Sequence, residues 1–414
     1  MDVAYVTMQF PHPSETFATN EVRMLSERGA AIAVHGLRRE HPTAPRLKVE
    51  RGLPTIRTTH NGMVPTLRGI LAALRRPVLL ARCLAWITRS NQGRSRELGI
   101  SLLLVPRAFD VLADIERQQP QVVHMYWGHY PTIVGYLVQR RLPSTVTSVS
   151  IVAYDLEREY GGAIDVVRHA DVIRTHAVVN RAHVVRFTGV DADRVNVIFN
   201  GVDLPALDRI AKTKEKVRHR IVTAARLREK KGVSDVLHAF AIVHRRWPDA
   251  SLVVLGDGPE RATLEQLARK LGVMEAVDFR GHVAHHSAIE EMAQAEVFML
   301  LSRAIDERLP NVVKEGMATG CVCITTPTPG IEELVDSGAN GFVVPFSDAA
   351  AAANVIDEVF SARTDVIGIR MRAVAHIREH FALTKTAPRY AVLWREAIEA
   401  KAVRDTQSVD EPTV

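Results

Sequence analysis

The chain is short of cysteine, of long apolar runs and of phosphate-loop glycines, and each shortage removes a class of protein. Only three cysteines occur in 414 residues, at Cys83, Cys321 and Cys323. An odd number without metal-type spacing gives neither a disulfide framework nor a zinc site, and it favours a reducing compartment. No stretch of about 18 uncharged apolar residues is present, so a spanning helix is not expected. The opening Met-Asp-Val-Ala-Tyr-Val lacks the charged and then apolar order of a secretory leader and reads as a first strand. No Gly-x-Gly-x-x-Gly follows residues 5–8 and no Walker A sequence occurs, which disfavours dinucleotide oxidoreductases and P-loop enzymes.

What is present belongs to an ordinary globular chain. Hydrophobic residues make up 47% and charged residues 24%, enough length and apolar content for at least two cores. The formal charge of +6 prefers anionic partners: phosphates, nucleic acid or acidic lipid. Charge alone does not choose among them, but no nucleic-acid recognition motif is visible, so nucleic acid is not an expected partner.

Short β-type runs alternate with helical patterns. Strands are expected at 2–8, 31–37, 122–125, 145–152, 171–179 and 195–199. The pattern restarts with strands at 220–225, 251–255, 276–280, 296–301, 322–325 and 342–344, and with helices at 233–246, 260–271, 289–295 and 311–319. This βαβ rhythm predicts an α/β protein of two doubly wound parallel-sheet domains, with ligand sites at the carboxyl ends of the strands. The expected boundaries are 1–200, a polar Lys/Arg-rich linker at 201–219, a second domain at 220–385, a C-terminal helix at 386–400 packing back toward the first domain, and a tail at 401–414.

The segment 64–96 holds seven arginines, interleaved with leucines and Trp86, and no acidic residue. Such a stretch suits either surface helices showing arginines to water or an anionic membrane face.

Two constellations could carry chemistry. Arg226-Leu227-Arg228-Glu229-Lys230-Lys231-Gly232 directly follows an expected strand. There Arg226 can fork two phosphate oxygens and Lys231 can place a point charge. Glu307 and Glu315 lie eight positions apart, one in a loop after a strand and one within the next helix. Pro310-Asn311 suits that helix start, whose amides favour an anion. The competing readings are a solvated basic turn and two solvated glutamates. Asp191-Ala192-Asp193 imitates a metal-binding pair but reads better as turn chemistry, so no metal site is expected.

Taken in order, Arg226-Leu227 with Lys231-Gly232, Gly256-Asp257-Gly258-Pro259, Phe279-Arg280-Gly281, the Glu307/Glu315 segment and Thr328-Pro329-Gly330-Ile331-Glu332-Glu333-Leu334 resemble the donor domain of family 4 retaining glycosyltransferases of the GT-B fold. Asn200-Gly201-Val202-Asp203 matches the family's hinge entry. Pro13-Ser14-Glu15-Thr16-Phe17 followed by Asn20-Glu21 resembles the first loop and helix of its polysaccharide-making branches. The likeness covers nearly the whole chain.

The resemblance implies two Rossmann-like domains facing a central cleft, the donor in the second and the acceptor in the first. Arg226 and Lys231 would hold the donor diphosphate. Glu307 would contact the donor sugar and Glu315 the ribose. Amides around Leu309, Pro310, Asn311 and Val312 would hold sugar or phosphate, Pro310 itself lacking an N–H, and Gly330 would line the pocket. The catalytic set is Glu307, Arg226 and Lys231, with Glu307 not nominated as a nucleophile. The co-substrate is a nucleotide sugar, UDP-sugar before GDP-sugar, with no separate cofactor. The acceptor is a saccharide or lipid-linked molecule, and the setting is the cytoplasm or the inner face of the cell membrane.

Two departures stand out. Val152 replaces the histidine that many relatives place three residues before Asp155, so His124 and His129 become substitutes on the acceptor side, beside Ser14 and Thr16. A buried structural histidine is the competing reading of each, and an inactive nucleotide-sugar-binding protein is the competing reading of the whole. Arg308 stands where a glycine is usual. Its Cβ restricts a positive φ, so either the loop differs or Arg308 adds a phosphate contact.

Overall fold

The structure is a computed structural model that describes residues 1–410, with side chains described through residue 404. The chain divides into two compact units, residues 1–199 with the chain from 384 onward, and residues 200–383.

The first unit runs β1 (Asp2–Thr7), α1 (Thr16–Glu27), β2 (Ala31–Gly36), α2 (Ala44–Glu50), β3 (Arg57–Thr59), α3 (Met63–Leu74), α4 (Pro77–Ser90), α5 (Ser95–Gln118), β4 (Val122–Tyr126), α6 (Thr132–Arg141), β5 (Val146–Ser150), α7 (Ala153–Arg158), α8 (Gly161–Arg168), β6 (Val172–Thr175), α9 (Asn180–Thr188) and β7 (Val195–Val197). Its seven strands form one parallel sheet in the order β3-β2-β1-β4-β5-β6-β7. Every residue of β4 and β5 is buried, as strands covered by helices on both faces must be.

The second unit runs α10 (Leu204–Ala211), β8 (Arg220–Ala224), α11 (Val233–Arg246), β9 (Ser251–Leu255), α12 (Arg261–Lys270), β10 (Val277–Gly281), α13 (His285–Gln294), β11 (Val297–Leu300), α14 (Asn311–Ala318), β12 (Val322–Thr325), β13 (Phe342–Val343), α15 (Ala349–Phe360) and α16 (Val366–His380). Its sheet is also parallel, ordered β10-β9-β8-β11-β12-β13. The fold is thus the expected pair of doubly wound α/β units. In each sheet the strand order reverses once, between β1 and β4 and between β8 and β11. Loops leaving the carboxyl ends of such neighbours diverge and open a crevice.

The stretch 201–219 is not an open linker. Asp203 caps α10, its Oδ1 accepting from the Ala206 amide at 3.3 Å, and Leu204 and Leu207 are buried. The helix is short, and the Lys- and Arg-rich residues that follow it, 212–218, hide it in the sequence. The last helix, α17 (Leu383–Asp410), begins earlier and runs further than 386–400. It buries Tyr390 and Trp394 in the first unit, where the Trp394 indole donates to Ser148 Oγ at 2.9 Å. The expected tail from 401 is helical through Asp410, and residues 411–414 lie outside the described residues.

Candidate functional site

The loops after β8, β11 and β12 lie side by side because these strands are neighbours in the sheet. After β8 the chain forms a single 3-10 turn, Glu229–Lys231, closed by Gly232 at φ +67°. The turn is tied to the next loop by backbone: the Arg303 amide donates to the Lys230 carbonyl at 2.8 Å, and Ser302 Oγ donates to it at 3.2 Å.

Side chains then cross the same seam. Lys230 Nζ binds Asp306 at 2.7 and 2.9 Å, and Lys231 forms an ion pair with Glu307 Oε1. Partial burial raises the Asp306 carboxyl's affinity for a proton, but the Lys230 contact outweighs it and holds the carboxyl below its usual range. The other oxygen of Glu307, Oε2, is buried and has no hydrogen-bond partner among the described residues. A buried carboxylate oxygen left unmatched is costly, and a ligand hydroxyl or amide would relieve it. Arg226, on the same loop as Lys231, is exposed and makes no ion pair among the described residues.

The loop after β11 carries its strain at Leu309, which is buried at φ +48°. A left-handed leucine is a strained conformation held by its surroundings. The positive φ anticipated opposite Arg308 therefore falls one residue later, and Arg308 donates to the Ile305 carbonyl of its own loop. Pro310 precedes α14, so Asn311 and Val312 present first-turn amides that have no intrahelical carbonyl to bond. Glu315 is buried one turn further on, its Oε1 2.8 Å from His285 Nε2 on α13. Gly330, at φ +82°, shapes the loop after β12.

The structure thus joins Lys231 directly to Glu307, and places Arg226, Glu315 and Gly330 on the same edge of one sheet. Sequence reasoning missed three supporting residues. Asp306 neutralises Lys230. His285 pairs with Glu315 through a fold contact 30 residues apart. Lys314 is wholly buried inside α14, its Nζ donating to the Asn200 carbonyl at 3.0 Å and to Asn311 Oδ1 at 3.1 Å. A lysine between two candidate residues reads as solvent-facing, and nothing local in the sequence says otherwise.

In the first unit, His129 follows β4 and Asp155 follows β5, and they meet at 2.7 Å between His129 Nδ1 and Asp155 Oδ1. The second oxygen of Asp155 accepts the Val152 amide at 3.0 Å. Val152 brings no imidazole to this carboxylate, and the His129 ring reaches it from the loop after the neighbouring strand β4. His129 is ringed by Trp127, Tyr130 and Tyr154. Ser14 is exposed on the loop after β1, with Oγ 2.9 Å from His12 Nδ1, and Arg51 braces that loop by donating to the carbonyls of His12 and Pro13. Thr16 opens α1, and its carbonyl accepts from the Thr19 hydroxyl.

His124 is not an acceptor-side group. It is wholly buried on β4, bonded to Ser148 Oγ at 2.8 Å and packed against Tyr5, Tyr390 and Trp394. Burial, with Arg174 adding to it, pushes its pKa down to about 3. Nearby, the Tyr5 hydroxyl donates to Glu21 at 2.7 Å, and burial raises the Glu21 carboxyl. The Asp191–Asp193 pair lies in a 3-10 turn before β7, where the Arg194 amide closes onto the Asp191 carbonyl at 3.1 Å.

Residues 207–374 match the family model described as glycosyl transferases group 1. The N-acetyl-alpha-D-glucosaminyl L-malate synthase of Bacillus anthracis is 23% identical over 299 residues, covering 68% of this chain and 76% of that protein. The lipopolysaccharide core biosynthesis glycosyltransferase LpsE of Rhizobium meliloti is 28% identical over 242 residues, covering 55% of this chain and 69% of its own length. Among solved structures, Anabaena HepE in complex with UDP superposes with a TM-score of 0.71 at 16% identity, covering 96% of this chain and all of that one. The family match lies within the second unit, and the likeness to solved structures shows that the two units share the GT-B fold.

Proposed function

We propose that the chain is a metal-independent retaining glycosyltransferase of family 4. It moves a sugar from a nucleotide-diphosphate sugar, UDP-sugar in preference to GDP-sugar, to a saccharide or lipid-linked acceptor in exopolysaccharide or glycoconjugate synthesis. The observation that carries this reading is the state of Glu307: one oxygen held by Lys231, the other buried and unmatched, at the point where the second sheet reverses its order.

In this reading the bond between the anomeric carbon and the diphosphate oxygen breaks. The acceptor oxygen bonds to the same face of the sugar, and the acceptor proton leaves toward the departing diphosphate. Positive charge builds on the anomeric carbon and negative charge on the leaving group. Arg226 and Lys231 would stabilise the leaving diphosphate, with the Asn311 and Val312 amides beside them. Glu307 Oε2 would accept from a donor-sugar hydroxyl and Glu315 from the ribose. By analogy with oxyanion donors, removing one of the contacts to the leaving diphosphate raises the barrier by on the order of 2.7–4 kcal/mol. His129, held by Asp155, would orient the acceptor or sugar at the carboxyl ends of β4 and β5. The UDP preference and the polysaccharide setting rest on likeness to proteins solved with UDP or named for lipopolysaccharide synthesis. A cytoplasmic setting is supported by the three cysteines, all buried as free thiols.

The rival reading, nucleotide-sugar binding without transfer, is favoured by Val152, which is buried and gives the Asp155 carboxylate a backbone amide in place of a side-chain donor. Thermal unfolding with UDP, UDP-glucose and GDP-mannose tests binding, since a ligand at about 100 times its Kd adds roughly 2.7 kcal/mol of stability. Transfer of labelled sugar to a lipid and saccharide extract, with NMR of the product's anomeric configuration, tests chemistry. Stabilisation by UDP without transfer selects the rival. No shift with any nucleotide rejects both readings, and full turnover in both Lys231→Ala and Glu315→Ala rejects the assigned site.

A further inference from the structure

We infer that α3 and α4 form a docking face for an anionic lipid bilayer. The inference goes beyond the transfer reaction and stands without it.

Helix α3 is amphipathic in an inverted sense. Its inner line is Gly69, Ala72 and Ala73, all buried. Gly69 crosses α5 so closely that a Cβ would stand 1.7 Å from the Pro106 carbonyl oxygen, so the two helices meet backbone to backbone. The large side chains point the other way. Met63, Leu67, Leu71 and Leu74 are 78, 57, 55 and 63% exposed, with Ile70 at 40% beside them. A soluble helix buries its leucines and shows small or polar residues to water. Single exposed leucines need no explanation, but a stripe at positions i, i+4, i+8 and i+11 over three turns does.

Helix α4 continues the pattern with charge. Cys83, Trp86 and Ile87 face inward, while Val78, Arg82 and Arg89 are exposed. Residues 51–96 contain no acid. Arg68 and Arg76 are paired with Asp110 and Glu116 on α5, whereas Arg75, Arg82 and Arg89 have no acidic partner among the described residues. The same surface thus offers exposed leucines and uncompensated guanidinium groups.

An anionic bilayer satisfies both, taking apolar side chains into the acyl boundary and arginines at the headgroups. A second copy does not fit, because a two-fold contact would set arginines against arginines. Among the described residues no helix is long and apolar enough to cross a membrane, so the contact would be interfacial.

Flotation of the full chain with vesicles tests this. Wild type should float with equimolar phosphatidylcholine and phosphatidylglycerol and stay behind with phosphatidylcholine alone. Arg75→Gln/Arg82→Gln should weaken partitioning roughly 30-fold, at about 1 kcal/mol per arginine and 1.4 kcal/mol per tenfold. Leu67→Ser/Leu71→Ser/Leu74→Ser should reduce flotation to background while the melting temperature stays at the wild-type value. Removing the same charge elsewhere, in Arg269→Gln/Lys270→Gln, should leave flotation unchanged. The inference is overturned if wild type does not float with anionic vesicles, if the control weakens binding as much as the patch variant, or if sedimentation shows a dimer that the leucine variant dissolves. Failure of nucleotide binding would reject the transfer reading and leave the flotation result standing.

Discussion

Gly232 lies against Leu301 so closely that a Cβ on the glycine would stand 1.8 Å from the leucine's carbonyl oxygen. This contact locks the turn carrying Lys231 onto the strand end that feeds Glu307. Gly232→Ala meets two penalties: a left-handed φ, worth about 1 kcal/mol, and an overlap with rigid backbone. The overlap dominates. We expect a loss above roughly 2 kcal/mol in urea unfolding, together with loss of nucleotide-induced stabilisation. Gly272 has a similar φ of +73° and open space around it. Gly272→Ala should therefore cost only about 1 kcal/mol and leave nucleotide binding intact.

The hold of α17 on the first unit should be concentrated at Trp394, which is wholly buried and bonded to Ser148. Trp394→Ala should cost about 3–5 kcal/mol, from lost burial and the cavity left behind. Trp394→Phe should cost less, because it keeps a ring in the site and loses the indole N–H bond. Denaturant midpoints of the two variants check the order, and equal costs would assign the effect to the hydrogen bond alone.

Acid should destabilise the first unit through His124. Its folded pKa, about 3, lies below the ordinary value of 6.5. Between those values the unfolded chain binds a proton that the folded one refuses. Stability from this group is therefore complete above 6.5 and falls as pH drops, by up to about 1.4 kcal/mol per unit. Glu21, raised by burial, contributes a slope of opposite sign above its unfolded value, so the comparison must be made against a variant. His124→Asn should be less stable at pH 7 yet lose less between pH 7 and pH 5. Parallel pH profiles for variant and wild type would remove His124 as the acid-sensitive group.

Every strand except the three-residue edge strand β3 was legible, as were the loops that bring Lys231 and Glu307 to the ends of β8 and β11, because their signals are local. Val and Ile runs mark buried parallel strands, and Lys231-Gly232 sits where a strand must turn. Other features depend on contacts that no local pattern encodes. Helix α5 continues through Pro106, a residue that usually ends a helix, where it packs against α3 and α6. Within 64–96 the composition left the orientation of the leucines open, since Gly69, Ala72 and Ala73 are as apolar as the side chains they displace from the inner face. The pairings of His129 with Asp155 and His285 with Glu315 arise only once neighbouring strands bring their loops together. His124 shows the converse: a histidine among candidates by composition is core by topology, because β4 is covered on both faces.

The pairing of His285 with Glu315 yields the sharpest test of the ribose assignment. Glu315 is buried, so its carboxylate is costly unless its oxygens are engaged, and His285 Nε2 engages one of them at 2.8 Å. If the other oxygen takes a ribose hydroxyl, the site should prefer UDP over 2′,3′-dideoxy-UDP. A buried polar contact that loses its ligand partner costs about 1–3 kcal/mol, so the preference should be on the order of tenfold or more. Glu315→Ala should bind both nucleotides weakly and nearly equally. His285→Ala should retain part of the preference, since it removes the group that orients the acid and not the acid itself. Titration calorimetry with both nucleotides on the three proteins measures this. An undiminished preference in Glu315→Ala would move the ribose elsewhere in the second unit while leaving the Lys231–Glu307 pair as the diphosphate and sugar site.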